Sequence, residues 1–80
     1  MTKQESMALN IIAKHAIVPK HEITSESSLE AIGIDSLKFI ASLLEIQRAI
    51  GREILTVEII GNIKTVGDVL SITHPTASEH

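Results

Sequence analysis

Leu29-Glu30-Ala31-Ile32-Gly33-Ile34-Asp35-Ser36-Leu37 marks the point where a polar connection turns into a helix, and the 80-residue chain can be read outward from it. On its C-terminal side Phe39, Leu43, Ile46 and Ile50 recur at four, three and four residues, the spacing of a core-facing helical stripe. The pattern predicts a helix from Ser36 to about Ile50, stopped by Gly51. Leu37, Ile40, Ala41 and Leu44 form a second apolar stripe beside the first. Two stripes exceed what a surface helix of a small bundle buries, so part of the second is expected to face a partner. On the N-terminal side Gly33 supplies a backbone free enough for a sharp turn into the helix.

Upstream, residues 19–35 read as a long connection rich in Ser, Thr, Glu and Lys, with only Ile23, Leu29, Ile32 and Ile34 to pin it to a core. A loop of this length in a compact domain is often functional, and a turn of helix is expected near Ser28–Ala31. Before it, Met7, Ala8, Ile11, Ile12 and Ala16 predict a helix from Gln4 to about Ala16, ended ahead of Pro19. Downstream, Ile54 and Leu55 read as loop anchors. Val57 to Ile60 reads as one helical turn closed by Gly61-Asn62. The β-branched residues among positions 54–60 would suit a strand, but a single strand has no pairing partner in this chain. Thr65-Val66-Gly67-Asp68 has the form of a capping box with Asp in the place of Glu. It opens a last helix to about Ile72 that buries Val66, Val69 and Leu70. The expected fold is all-α: a four-helix bundle of three longer helices and one short one, with a long loop between the first and second. Residues 1–80 read as one domain, with an ordered core of about 4–72 and a polar tail at 73–80.

A core this small is marginal, so nearly every apolar residue must pack. The absence of cysteine excludes disulfides and thiolate metal sites and suits a reducing, cytoplasmic setting. Any thiol chemistry would have to come from an added group. A formal charge of −3, scattered Lys and Arg, and Phe39 as the sole aromatic argue against nucleic acid. No apolar run is long enough to span a bilayer, and the polar N-terminus lacks a signal-peptide core. His15, His21, His74 and His80 are dispersed without metal-ligand spacing and read as solvated side chains. No base accompanies Ser36 in a recognisable triad, so neither catalytic nor metal-binding residues are expected.

Ser36 stands at a helix start, where free N–H groups and the positive dipole end favour an attached negative charge. Taken alone, Asp35-Ser36 reads as ordinary N-terminal capping, the common role of Ser before a helix. The wider pattern decides between these readings. Ile32-Gly33-Ile34-Asp35-Ser36-Leu37 resembles the phosphopantetheine attachment motif of acyl carrier proteins, an apolar-Gly-x-Asp-Ser-Leu pattern. Gly51-Arg52-Glu53-Ile54 and Ile63-Lys64-Thr65-Val66-Gly67-Asp68 resemble that family's turn after the second helix and its approach to the last one. The resemblance spans residues 4 to 72.

The resemblance implies that Ser36 carries a 4′-phosphopantetheine arm, taken from coenzyme A by a phosphopantetheinyl transferase. It implies a monomeric carrier and not an enzyme. Its partners would be acyl-loading, acyl-modifying and acyltransferase or synthase enzymes of fatty acid, lipid or polyketide biosynthesis, with an acyl chain as cargo. Asp35 would help the transferase position magnesium, or be a capping carboxylate. Leu37 would dock into partner pockets, or be a core leucine. Phe39, Ile40, Leu44, Ile54 and Ile60 are the expected lining of an acyl groove beside Ser36.

The chain departs from the family in the second helix. Carriers of this type bear acids there, at positions corresponding to Lys38, Ala41, Gln47 and Arg48, none of which is acidic. A specialised carrier is expected, whose partners read an apolar surface of Leu37, Ile40, Ala41 and Leu44 with weak electrostatic steering. Peptidyl or aryl carriers usually show a second Gly before the serine, absent from Gly33-Ile34-Asp35-Ser36. A D-alanyl carrier, or a helical interaction module without a prosthetic group, are the remaining readings.

Overall fold

The computed structural model describes residues 2–74. Among them lie four α-helices: α1 (Lys3–His15), α2 (Ser36–Ile50), α3 (Val57–Asn62) and α4 (Val66–Thr73). No strand occurs among the described residues, and a lone antiparallel bridge joins Ser28 to Thr65. The all-α architecture of three longer helices and one short one, expected from the sequence, is the one observed.

Each helix boundary has a local cause. α1 begins one residue earlier than the apolar pattern suggests because Thr2 and Glu5 form a reciprocal capping box. It ends at His15, and Ala16 turns extended, so that the Ile17 N–H reaches the Ile32 carbonyl at 2.9 Å. α2 stops where expected, with Gly51 left-handed at φ 72°. α3 runs through Gly61 and Asn62 where the turn signal predicted its end. Thr56 Oγ1 caps its start, and the Asn62 side chain donates to the Glu58 carbonyl at 2.9 Å. α4 opens on the Thr65–Asp68 capping box and continues to Thr73, one residue into the predicted tail. Thr73 is fully buried and its hydroxyl donates to the Leu70 carbonyl. The remainder of that tail, from Pro75 on, lies outside the described residues.

The core joins Ala8 and Ile12 of α1, Leu43 and Ile46 of α2, and Val66, Val69 and Leu70 of α4. α1 packs against both α2 and α4. The long connection is more ordered than its composition suggests. It contains a 3-10 turn at Lys20–Glu22 and consecutive turns between Ser28 and Ile34. Ile23, Leu29, Ile32 and Ile34 are all buried, so the four isolated apolar residues do pin it. Its polar backbone is paired as well. Leu29 N–H donates to the Lys64 carbonyl, Val66 N–H to Ser27, and Gly67 N–H to Ser25 at 2.7 Å. A Cβ on Gly67 would sit 2.7 Å from that same Ser25 carbonyl, so the contact requires glycine. The loop is thereby held against the start of α4, which fixes the end of the loop that delivers Ser36.

Candidate functional site

The site forms where this anchored loop becomes α2. Gly33 takes φ +88°, a conformation that L side chains rarely adopt, and turns the chain from buried Ile32 to buried Ile34. Asp35 is the N-cap, its Oδ1 accepting the Lys38 N–H at 2.9 Å. The Asp35 carbonyl accepts the Phe39 N–H at 2.8 Å. Ser36 is therefore the first helical residue and not the cap. Its side chain is exposed, and no hydrogen bond engages its hydroxyl among the described residues. The N–H groups of Ser36 and Leu37 are likewise without a backbone partner there, as expected for the first turn of a helix.

Beside Ser36 lies a half-open groove of about 590 Å³. Leu29, Ile34, Phe39, Ile40, Ile60 and Ile63 give it an apolar lining, and Ser28, Glu30, Asp35 and Lys64 contribute polar groups around Ser36. Phe39, Ile40 and Ile60 are where the sequence placed them. Leu44 and Ile54 are not in the lining. Leu44 is exposed on α2, whereas Ile54 is buried in a loop held by Gln47, whose Oε1 accepts the N–H groups of Ile54 and Leu55.

The second stripe of α2 divides. Leu37 is 81 % exposed and Leu44 37 %, while Ile40 and Ala41 are half-buried. This removes the core-leucine reading of Leu37. His15 is not the solvated side chain its isolation in sequence suggested. Its Nε2 lies 2.6 Å from Glu45 Oε1, and Lys14 Nζ donates to Glu45 Oε2. The bond from Lys14, then that from His15, holds the Glu45 carboxyl below the usual glutamate range against a smaller opposing effect of burial. His74 also faces a carboxylate, Nδ1 lying 3.4 Å from Glu5 Oε2.

Over residues 9–72 the sequence matches the family described as "Phosphopantetheine attachment site". The chain belongs to that family. A phosphopantetheine attachment domain takes 4′-phosphopantetheine as a covalent prosthetic group and works as a carrier. No curated protein matches the chain at a significant level. The helix start fits the group that the attachment domain carries. It offers an exposed hydroxyl for a phosphodiester, unpartnered N–H groups and the positive end of α2 for its charge, and an open groove alongside.

Sequence reasoning missed the polar groove residues Ser28, Glu30 and Lys64, because nothing local tells which loop residues a tertiary groove will recruit. It also missed the Lys14–His15–Glu45 cluster. Two adjacent basic residues at the end of one helix and a lone acid on another are a signal only once the helices are known to pack together.

Proposed function

We propose that the chain is an acyl carrier protein whose Ser36 bears the phosphopantetheine arm. When bound, the arm supplies a terminal thiol that holds acyl groups as thioesters. The observation that supports this reading most is the division of labour at the start of α2. Asp35 satisfies the helix terminus, and the adjacent Ser36 hydroxyl stays exposed and unbonded inside the matched region. Ser36 Oγ is the nucleophile that attachment requires, and the amide groups of the first turn orient and stabilise the resulting phosphate. Asp35 stands next to it, where a transferase would meet both residues. The apolar walls made by Phe39, Ile40, Ile60 and Ile63 suit a hydrocarbon cargo, and the missing second Gly before Ser36 favours the acyl over the peptidyl type. Residues 1–80 act as one carrier domain, monomeric and cytoplasmic, without catalytic residues of their own. Leu37, Ile40, Ala41 and Leu44 contact the partner enzymes.

The test is incubation of the full chain with coenzyme A, magnesium and a broad-specificity phosphopantetheinyl transferase, followed by intact-mass measurement. The expected result is a gain of one phosphopantetheine on the wild type and none on Ser36→Ala. An unmodified wild type would instead favour the reading of an interaction module without a prosthetic group.

A further inference from the structure

The outward face of α2 carries an unusual charge pattern. Leu37, Ala41, Leu44 and Arg48 follow one another at four, three and four residues and so share one line along the helix. Three apolar side chains run from the Ser36 end, with exposed Arg48 closing the row. Lys38 stands one step round the helix from Leu37. The charged residues of α2 are Lys38, Glu45 and Arg48, and the single negative one is bonded to Lys14 and His15 of α1. Neither Lys38 nor Arg48 has an ion-pair partner among the described residues. Of the acids near the ends of α2, Glu30 lines the groove beside Ser36, Asp35 is occupied by the cap, and Glu53 follows the helix.

We propose that α2 docks on partner surfaces that pair an apolar cleft with carboxylates, and that Lys14 and His15 set this preference by masking Glu45. The reading rests on the carrier function proposed above and deepens it by assigning the chemistry of the partner. Exposed Leu37 and Leu44 fill the cleft, and Arg48 and Lys38 meet the Asp or Glu residues of its rim. A basic partner surface meets two cations without ion-pair partners, and the one acid of this helix is already bonded to Lys14 and His15. An anionic bilayer is the less favoured occupant. Two cations on a chain of net charge −3 fall well short of the four to eight clustered basic residues, roughly, that recruit a protein to anionic lipid.

The experiment follows backbone amide shifts of the isotope-labelled full chain titrated with two synthetic amphipathic peptides. Both share one leucine face, flanked in one by glutamates and in the other by lysines. The glutamate peptide should shift Leu37, Ala41, Leu44 and Arg48. Its affinity should fall between about 0.05 and 0.5 M salt, and drop roughly fivefold in the Lys38→Glu, Arg48→Glu double variant. Both substituted side chains are outside the core, and circular dichroism confirms that the variant is folded. Lys14→Gln with His15→Gln should unmask Glu45 and narrow the preference between the peptides. An unchanged preference would remove the role given to α1. Equal or tighter binding of the lysine peptide, shifts centred elsewhere, binding of neither peptide, or a stronger response to phosphatidylglycerol vesicles would each overturn the proposal. Intact mass reads Ser36 loading separately. A chain that loads but shows no preference loses the docking surface and remains a carrier, and one that shows the preference without loading does the reverse.

Discussion

Asp35 Oδ1 takes the Lys38 N–H, and that bond frees Ser36 from the capping role that a serine at a helix start usually fills. The two neighbours can therefore be separated by substitution. Asp35→Ala should cost about 1 kcal/mol of stability from the lost cap, read as a lower midpoint in urea. Asp35→Asn keeps a capping oxygen and should recover most of that loss. If the carboxylate also serves the transferase, loading of Asp35→Asn stays slow although the fold is restored, whereas a purely structural Asp35 loads at the wild-type rate. Gly33→Ala should destabilise by about 1–2 kcal/mol, because φ +88° is unfavourable for any residue with a Cβ and the new methyl would meet Ile17 at 2.7 Å. The value of both residues was legible in the sequence, since Gly and Asp in this order before a helical repeat have known backbone uses. The exposure of Leu37 was not, because the same spacing serves a core leucine and a docking one equally well.

At the level of elements, α2 presents opposite faces with opposite duties. Leu43 and Ile46 are wholly buried, and Leu37 stands in solvent. Leu43→Ala should cost about 2–5 kcal/mol, enough to unfold a marginal domain of this size. Leu37→Ala should stay within about 0.5 kcal/mol of wild type and act on partner-dependent rates instead. Thermal denaturation of the two variants checks this contrast. A large loss of stability in Leu37→Ala would place that residue in the core after all. Helical periodicity sufficed to predict α1, α2 and α4, because each has a stripe long enough to count. The ends were harder to read. α3 overran its Gly-Asn signal through a bond made by the Asn62 side chain, and α1 started early on a capping box that apolar spacing ignores. The long connection was the least legible stretch, since its order comes from backbone bonds to residues 64–67 that no local pattern announces.

At the scale of the molecule, three carboxyls among the described residues are held below their ordinary range. Glu5 is lowered chiefly by the Thr2 N–H, Glu45 by Lys14 and then His15, and Asp68 by the N–H groups of Lys64 and Thr65. Their folded forms bind protons less readily than the unfolded chain does. Their contribution is thus present above the unfolded carboxylate range, near pH 4, and is lost as pH falls through the depressed values. Melting temperature should be level from neutral pH down to about 5 and decline below about 4. Lys14→Gln should make that decline shallower by relieving the main cause at Glu45, and a melting temperature that rises on acidification would contradict the assignment. The architecture joins these scales. Loop anchors at α4 fix Gly33 and Asp35, they fix the start of α2, and the start of α2 presents Ser36 beside an apolar groove. Fragmentation of the loaded chain by tandem mass spectrometry tests that placement most directly, because it reads which side chain bears the arm. The account predicts a single phosphodiester on Ser36. An arm on Ser27, Ser28 or any other hydroxyl, or an unmodified chain after exhaustive treatment, would contradict it.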